Sequence, residues 1–232
     1  MIKLISFPAV YNVKTGTPFG LKLMALMKMA DIPFELEYQV DPRKAPTKKF
    51  PLIIDDGEAL ADSHFIRLHM EKKYDIDFDE GLSPLERAHS LALVRMLEEH
   101  FYWCMMFDRW VEEDNWVRFR DTVFKDLPPI IGGFIAKQIR KQTVRDCHGQ
   151  GVSRHGRERV MALGVEDLSA LEAMLGEKEF LFGNKPTSAD ATASAFLAFA
   201  LNNEFKSPLY ELCASSPTLS AYCLRTNTLF YA

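Results

Sequence analysis

Residues 48–63 read KKFPLIIDDGEALADS. Phe50-Pro51 stands at the mouth of an apolar run. A proline there cannot donate a ladder hydrogen bond, so it belongs at the start of a strand. Residues 52–55 (LIID) are that strand. Asp56-Gly57 is a hairpin signal, and 58–61 return as the partner strand. Asp62-Ser63 then caps a helix that runs to about residue 73. A cis Pro51 would present the neighbouring backbone N–H and C=O to a ligand. Eleven residues later, the N–H groups and hydroxyl of the helix start make an anion site, and the carboxylate beside them can hold an ammonium. Together they can grip an amino-acid head group, one end for each charge.

Working outward, residues 2–6 (IKLIS) are a short strand candidate, and 16–30 (GTPFGLKLMALMKMA) form a helix. Thr17 is an N-cap type, Pro18 suits the first helical position, and Leu21, Met24, Ala25 and Met27 recur at helical spacing. Residues 34–40 (FELEYQV) alternate at period two, as a strand does. Strand, helix, strand, irregular stretch, strand, turn, strand, helix describes a small α/β layer. The acidic, glycine-containing 74–82 (YDIDFDEGL) reads as a linker. Everything after it is helical in pattern. Ser83-Pro84-Leu85-Glu86 is a capping box, and the helix behind it is expected to reach about residue 113. Pro128-Pro129 marks a helix boundary. Amphipathic runs follow, one of them at 157–175. Thr187-Ser188-Ala189-Asp190 opens a nearly continuous apolar helix, which argues for burial on all sides. Two short helical segments close the chain.

The bulk properties exclude several classes. The chain has 232 residues, 47% hydrophobic and 26% charged, enough for one large or two small domains. A net charge of −4 gives no reason to expect a nucleic-acid partner. Lys137, Arg140, Lys141, Arg145, Arg154, Arg157 and Arg159 form a basic cluster, read as a solvated face. No apolar window is long enough for an integral membrane segment, and the N-terminal run is too short for a signal-peptide core, so a cytoplasmic location is expected. The four cysteines form no CxxC pair and match no zinc spacing, and His64 and His69 do not share a helix face well. Reduced, buried thiols and no metal site are expected. Residues 100–116 (HFYWCMMFDRWVEEDNW) read first as core packing on a long helix.

The order Thr-Pro-Phe at a helix start, Phe-Pro before a strand, Asp-Asp-Gly and Ala-Asp-Ser resembles the thioredoxin-like half of a glutathione transferase. GNKPTSAD (183–190) is similar to the capping box and core helix of that family's helical half. TPFGLKLMALMKMADIPFE, EHFYW, and GVSRHGRERV before FLFGNKPTSADAT resemble the failed-axon-connections and metaxin-like branch. The resemblance implies an α/β plus all-α fold: a thioredoxin-like domain over 1–77, and an all-helical domain over 84–232 contributing the electrophile pocket. It implies glutathione as co-substrate, a homodimer, and a role in detoxification. Pro51 matches the family's cis proline, with the Phe50 backbone pairing with the cysteinyl unit. Asp62 and Ser63 match the γ-glutamyl site, Lys49 reaches for the glycyl carboxylate, and Thr17 falls at the activating position. Tyr102, Trp103 and Arg109 would face a small apolar electrophile, although helical geometry cannot put all of them on one side.

Two readings follow, an enzyme or a non-catalytic binding or adaptor protein that keeps the fold. Lowering a free thiol's pKa of about 8.5 by about two units needs roughly 2.7 kcal/mol. A helix N-terminus supplies about 0.3–1 kcal/mol, and one hydroxyl donor to a charged sulfur about 1.5–3 kcal/mol. A threonine hydroxyl therefore suffices, provided it is not spent on capping its own helix. Tyr11 is the runner-up donor. Gly20 stands where relatives in the branch carry cysteine, so disulfide exchange through a protein thiol is not expected there.

Overall fold

The computed structural model describes residues 1–125 and 127–232, with residues 129–131 described by backbone alone. A four-stranded sheet has the order β2-β1-β3-β4. Strands β1 (Ile2–Ser6) and β2 (Phe34–Tyr38) are parallel and joined by helix α1 (Pro18–Met29). A parallel pair needs such a crossover. Strand β3 (Leu52–Asp55) runs antiparallel to β1, and β4 (Glu58–Ala61) antiparallel to β3. Asp56 and Gly57 both take positive φ, 51° and 86°, as a two-residue hairpin turn demands. Helix α2 (Ser63–Tyr74) follows at once. This is the thioredoxin-like arrangement expected. Strand β2 stops at Tyr38, two residues short of its alternating pattern.

The rest is helical: α3 (Pro84–Arg95), α4 (Tyr102–Met106), α5 (Glu113–Val123), α6 (Pro129–Gln150), α7 (Arg157–Leu175), α8 (Ser188–Ala200), α9 (Pro208–Ser215) and α10 (Pro217–Tyr231). The helix beginning at Pro84 continues to Val111, but π-helical turns at Met96–Phe101 and Phe107–Val111 interrupt its α geometry. Each π turn takes in extra residues, so the side chains beyond it lie on faces that a uniform 3.6 period does not give.

Contacts group the chain into two compact units: 1–94 with 175–199 and 221–232, and 95–174 with 200–220. The division at residues 77 and 84 follows chain order, whereas the contacts draw late helices into the first unit. Asp79 of the linker accepts from both the backbone N–H and the hydroxyl of Ser188, each at 3.0 Å. Phe19 of α1 meets Phe196 of α8 edge-on at 5.7 Å. The Tyr222 hydroxyl donates to Asp190 at 2.8 Å. The alanines and phenylalanines of α8 are buried except Ala198, close to what the unbroken apolar run implies.

In the second unit Trp110, Trp116, Phe119 and Phe124 form an aromatic cluster. Arg140 lies over the Trp116 ring at 5.0 Å and donates to the carbonyls of Trp110 and Val111. It does not belong to a solvated face, because it satisfies backbone oxygens at the end of a π turn. Lys137, Lys141 and Arg145 are exposed. All four cysteines are buried free thiols. Among the described residues no helix is long and apolar enough to cross a membrane.

Candidate functional site

The hairpin register gathers one end of the sheet. Leu52 is opposite Ala61, so one further step puts Pro51 opposite Asp62. Ile5 is opposite Leu52, so Ser6 comes beside Pro51 and Phe7 beside Phe50. The rings of Phe7 and Phe50 meet edge-on at 5.0 Å. Gly16 donates to the Phe7 carbonyl at 3.3 Å, and a Cβ there would lie 3.0 Å from Phe7 and 3.1 Å from the Pro8 oxygen. Only a glycine lets the chain pass so close. The next residue, Thr17, holds the N-cap position of α1. Thr17, Phe50-Pro51 and Asp62-Ser63 therefore share one edge of the first unit.

Thr17 is buried and extended (φ −144°, ψ 139°), and its side chain makes no capping hydrogen bond to its own helix. The tie is made by Thr15 instead, whose hydroxyl donates to the Thr17 carbonyl at 2.8 Å. Thr15 also explains Gly20. A Cβ at Gly20 would fall 2.5 Å from the Thr15 hydroxyl and 2.6 Å from that of Ser6. Two hydroxyl side chains occupy the space that a cysteine at this position would need.

The Phe50–Pro51 bond is cis. Asp62 is exposed and takes a positive φ of 75°, a conformation costing a non-glycine residue roughly 1–3 kcal/mol. Its carboxylate accepts from the His64 N–H at 2.9 Å. Ser63, the first residue of α2, is buried, and its oxygen accepts from the Nζ of Lys22 at 3.3 Å. Sequence reading did not single out Lys22. Its signal was a lysine between Leu21 and Leu23 on a helix apolar almost all round, and it is only 2% exposed. Lys49 is exposed, next to Lys48 in the left-handed region. Tyr11 also takes a positive φ, 49°, in the turn closed by the bridge between Val10 and Val13.

Tyr102, Trp103 and Arg109 belong to the second unit. Tyr102 and Trp103 are half-buried with ring centroids 5.4 Å apart. Packing around the Tyr102 phenol pushes its pKa up to about 12, so it keeps its proton at neutral pH. Arg109 is buried with its guanidinium 4.7 Å from the Phe205 ring centroid.

The same unit places three metal-ligand types together, His100, Cys104 and Asp167, their ligand atoms within 4.8 Å of one another. The expectation of no metal site considered only cysteine and histidine spacings, and Asp167 comes from α7, far along the chain. Gly164, one turn earlier on α7, allows the approach, since a Cβ there would be 3.0 Å from that of Cys104. His100 Nδ1 and Asp167 Oδ2 are 2.6 Å apart and satisfy each other, while burial pushes the Cys104 thiol up to about 12.

Residues 18–115 match the family model "Glutathione S-transferase N-terminal domain", and residues 164–226 match "Glutathione S-transferase, C-terminal domain". The chain belongs to the glutathione S-transferase superfamily. It is 28% identical over 200 residues to the isoprene-epoxide glutathione S-transferase of a Rhodococcus species, covering 83% of each chain. It is 29% identical over 210 residues to Failed axon connections of Drosophila melanogaster, covering 85% of this chain and spanning half the length of that relative. Metaxin-1 of Macaca fascicularis is 24% identical over 222 residues, 91% of this chain and 69% of its own. In fold, the chain superposes on the glutathione-bound transferase of Ceriporiopsis subvermispora with a TM-score of 0.67 and 13% identity, covering 100% and 98% of the two chains.

Proposed function

We propose that the protein is a glutathione transferase that binds glutathione at this edge of the sheet and activates its thiol with Thr17. The observation that carries this reading is the state of Thr17. Its hydroxyl does not cap its own helix, so it is available to donate to a sulfur at the N-terminus of α1. The helix end and one hydroxyl together supply about the 2.7 kcal/mol that a two-unit shift requires. The thiol proton leaves to water, and the thiolate attacks an electrophilic carbon; in an epoxide the ring carbon–oxygen bond breaks and the alkoxide takes a proton from water, and in a displacement the leaving group departs with the bonding pair. The Phe50 backbone pairs with the cysteinyl unit, Asp62 holds the γ-glutamyl ammonium, Ser63 at the N-terminal end of α2 holds its carboxylate, and Lys49 reaches for the glycyl carboxylate. Tyr102, Trp103 and Arg109 serve the small apolar electrophile. The relatives include an epoxide-conjugating enzyme, which makes an epoxide the first electrophile to try. We place the protein in the cytoplasm as a homodimer acting in detoxification.

The test has two stages. Thermal shift with glutathione is read on wild type and Asp62→Ala. Saturation at about a hundred times Kd adds roughly 2.7 kcal/mol, a shift of about 5–10 °C for a chain of this size. Turnover of glutathione with a terminal epoxide is then read on wild type and Thr17→Ala. The expected result is a shift lost in Asp62→Ala, and turnover lost in Thr17→Ala with affinity mostly kept. Wild type that binds glutathione but turns over no electrophile would favour the non-catalytic reading, to which the likeness to Failed axon connections and metaxin-1 points. Sedimentation of the wild type tests the dimer.

A further inference from the structure

We infer that Lys22 is a positioning residue for glutathione: it fixes the direction of the Ser63 hydroxyl and so sets the specificity of the α2 N-terminus for the γ-glutamyl α-carboxylate. The inference rests on the glutathione reading above and extends it to a residue on a different helix.

A lysine ammonium can only donate, and a serine hydroxyl has one hydrogen and two lone pairs. Lys22 Nζ stands 3.3 Å from Ser63 Oγ, both groups buried, and the contact runs from α1 to α2. With one lone pair of Oγ taken by Lys22, the hydroxyl hydrogen must turn away from the ammonium. Ser63 is the first residue of α2, where backbone N–H groups face outward without intrahelical partners. The His64 N–H is already engaged by the Asp62 carboxylate at 2.9 Å. The Ser63 hydroxyl is thereby set as a donor toward an acceptor at the helix start. A carboxylate meets that demand, and the buried positive charge behind the serine adds to the field of the helix end. Without Lys22 the hydroxyl rotates freely and can present its lone pairs to the ligand as readily as its hydrogen.

The experiment is a double-mutant cycle read by titration calorimetry, on proteins checked for folding by circular dichroism. The variants are Lys22→Met, Ser63→Ala and both together. The ligands are glutathione and 4-aminobutyryl-cysteinyl-glycine, the same peptide without its α-carboxylate. Lys22→Met is expected to weaken glutathione about 10- to 100-fold, the range for a hydrogen bond to a charged group, and to leave the analogue's affinity unchanged. Ser63→Ala should lose a similar factor, and the double variant little more than either, because Lys22 acts through Ser63. Equal weakening of both ligands, an unchanged glutathione affinity in Lys22→Met, or losses that multiply in the double variant would each overturn the assignment. Should Lys22→Met not fold, Lys22→Leu, which likewise has no donor, enters the same cycle and is judged by the same outcomes. Wild type that binds neither peptide overturns the glutathione reading itself, a result distinct from binding that is indifferent to Lys22.

Discussion

Two helices of the first unit carry an aspartate at their start, Asp190 in the first turn of α8 and Asp62 as the N-cap of α2, and they use it in opposite ways. At α8 the carboxylate of Asp190 is fully buried and accepts four hydrogen bonds: from the Leu181 and Thr187 N–H groups, the Thr187 hydroxyl and the Tyr222 hydroxyl. Four donors fill a carboxylate. At α2 the carboxylate of Asp62 is exposed, accepts from the His64 N–H, and sits on a backbone of positive φ. The first acid is consumed by the fold. The second is held in an unfavourable conformation with most of its accepting capacity turned outward. Asx and Ser/Thr residues at a helix start read alike as caps; what separates a structural cap from a binding one is how many lone pairs the fold leaves open.

The largest test of this contrast is Asp190→Ala. It strands two backbone N–H groups and two hydroxyls in a buried site, which costs about 3–5 kcal/mol. Urea unfolding should show that loss, with glutathione affinity per folded molecule unchanged. A loss below about 1 kcal/mol would mean that Asp190 is no more a structural acid than Asp62. Burial pushes the Asp190 carboxyl up in pKa, while its hydrogen bonds from Leu181, Thr187 and Tyr222 pull the other way.

Asp79→Ala comes next. Asp79 serves the same helix from outside, accepting from the Ser188 N–H and hydroxyl at 3.0 Å and from Arg67 at 3.3 Å. Removing it leaves a buried helix start with one donor pair unmet, at about 2 kcal/mol. The same urea measurement on the double variant with Asp190→Ala should give less than the sum of the two, since both acids hold one helix end. A simple sum would separate them.

The far end of α2 offers a fourth acid. Asp55 is buried and bonded to His69 Nε2 and Lys73 Nζ, each at 2.7 Å. Burial pushes its carboxyl up, but the hydrogen bonds and charges of Lys73 and His69 outweigh that and hold it below the usual carboxylate range. A depressed folded pKa stabilises the protein above the unfolded value of about 3.9, and that contribution is lost as pH falls through the folded pKa. Asp55→Asn should cost about 1–2 kcal/mol at pH 7, and its difference from wild type should close below pH 4 in urea melts. A difference that persists unchanged at pH 2.5 would mean that packing, and not charge, holds this end. If the expectation stands, α2 is anchored by its C-terminal half while its first turn is left for a ligand.

Much of this was legible in the chain. Alternation, Pro51 and Asp56-Gly57 located the strands and hairpin, because period and turn chemistry are local properties. Thr187 and Asp190 announced α8 for the same reason. Three features were not local. Lys22 looked like one more helix residue until Ser63 came beside it from another helix. His100 and Asp167 lie in different helices, which approach closely where Gly164 faces Cys104. The π turns within 96–111 depend on packing that no period encodes. Gly20 was visible as a departure, but its cause, the hydroxyls of Ser6 and Thr15 filling the space, required the sheet and helix to be in place.

The smallest effect on stability is expected at Asp62, and it is the most informative. Asp62→Gly removes a side-chain cap, but glycine is tolerated at an N-cap with a loss of only a few tenths of a kcal/mol. Glycine also relieves the positive φ, a gain of about 1 kcal/mol, set against the greater freedom of the unfolded chain, which takes back a similar amount. The three terms nearly cancel, so the urea midpoint should move by no more than about 0.5 kcal/mol in free energy. The thermal shift with glutathione, in contrast, should disappear. Asp190→Gly, by the same chemistry, should be at least as damaging as Asp190→Ala. A variant at 62 that loses 2 kcal/mol or more would place Asp62 with Asp190 among the structural acids. One that keeps its stability and its glutathione shift would leave the strained backbone at Asp62 without a use. Unchanged stability with lost binding is what an acid reserved for a ligand must show.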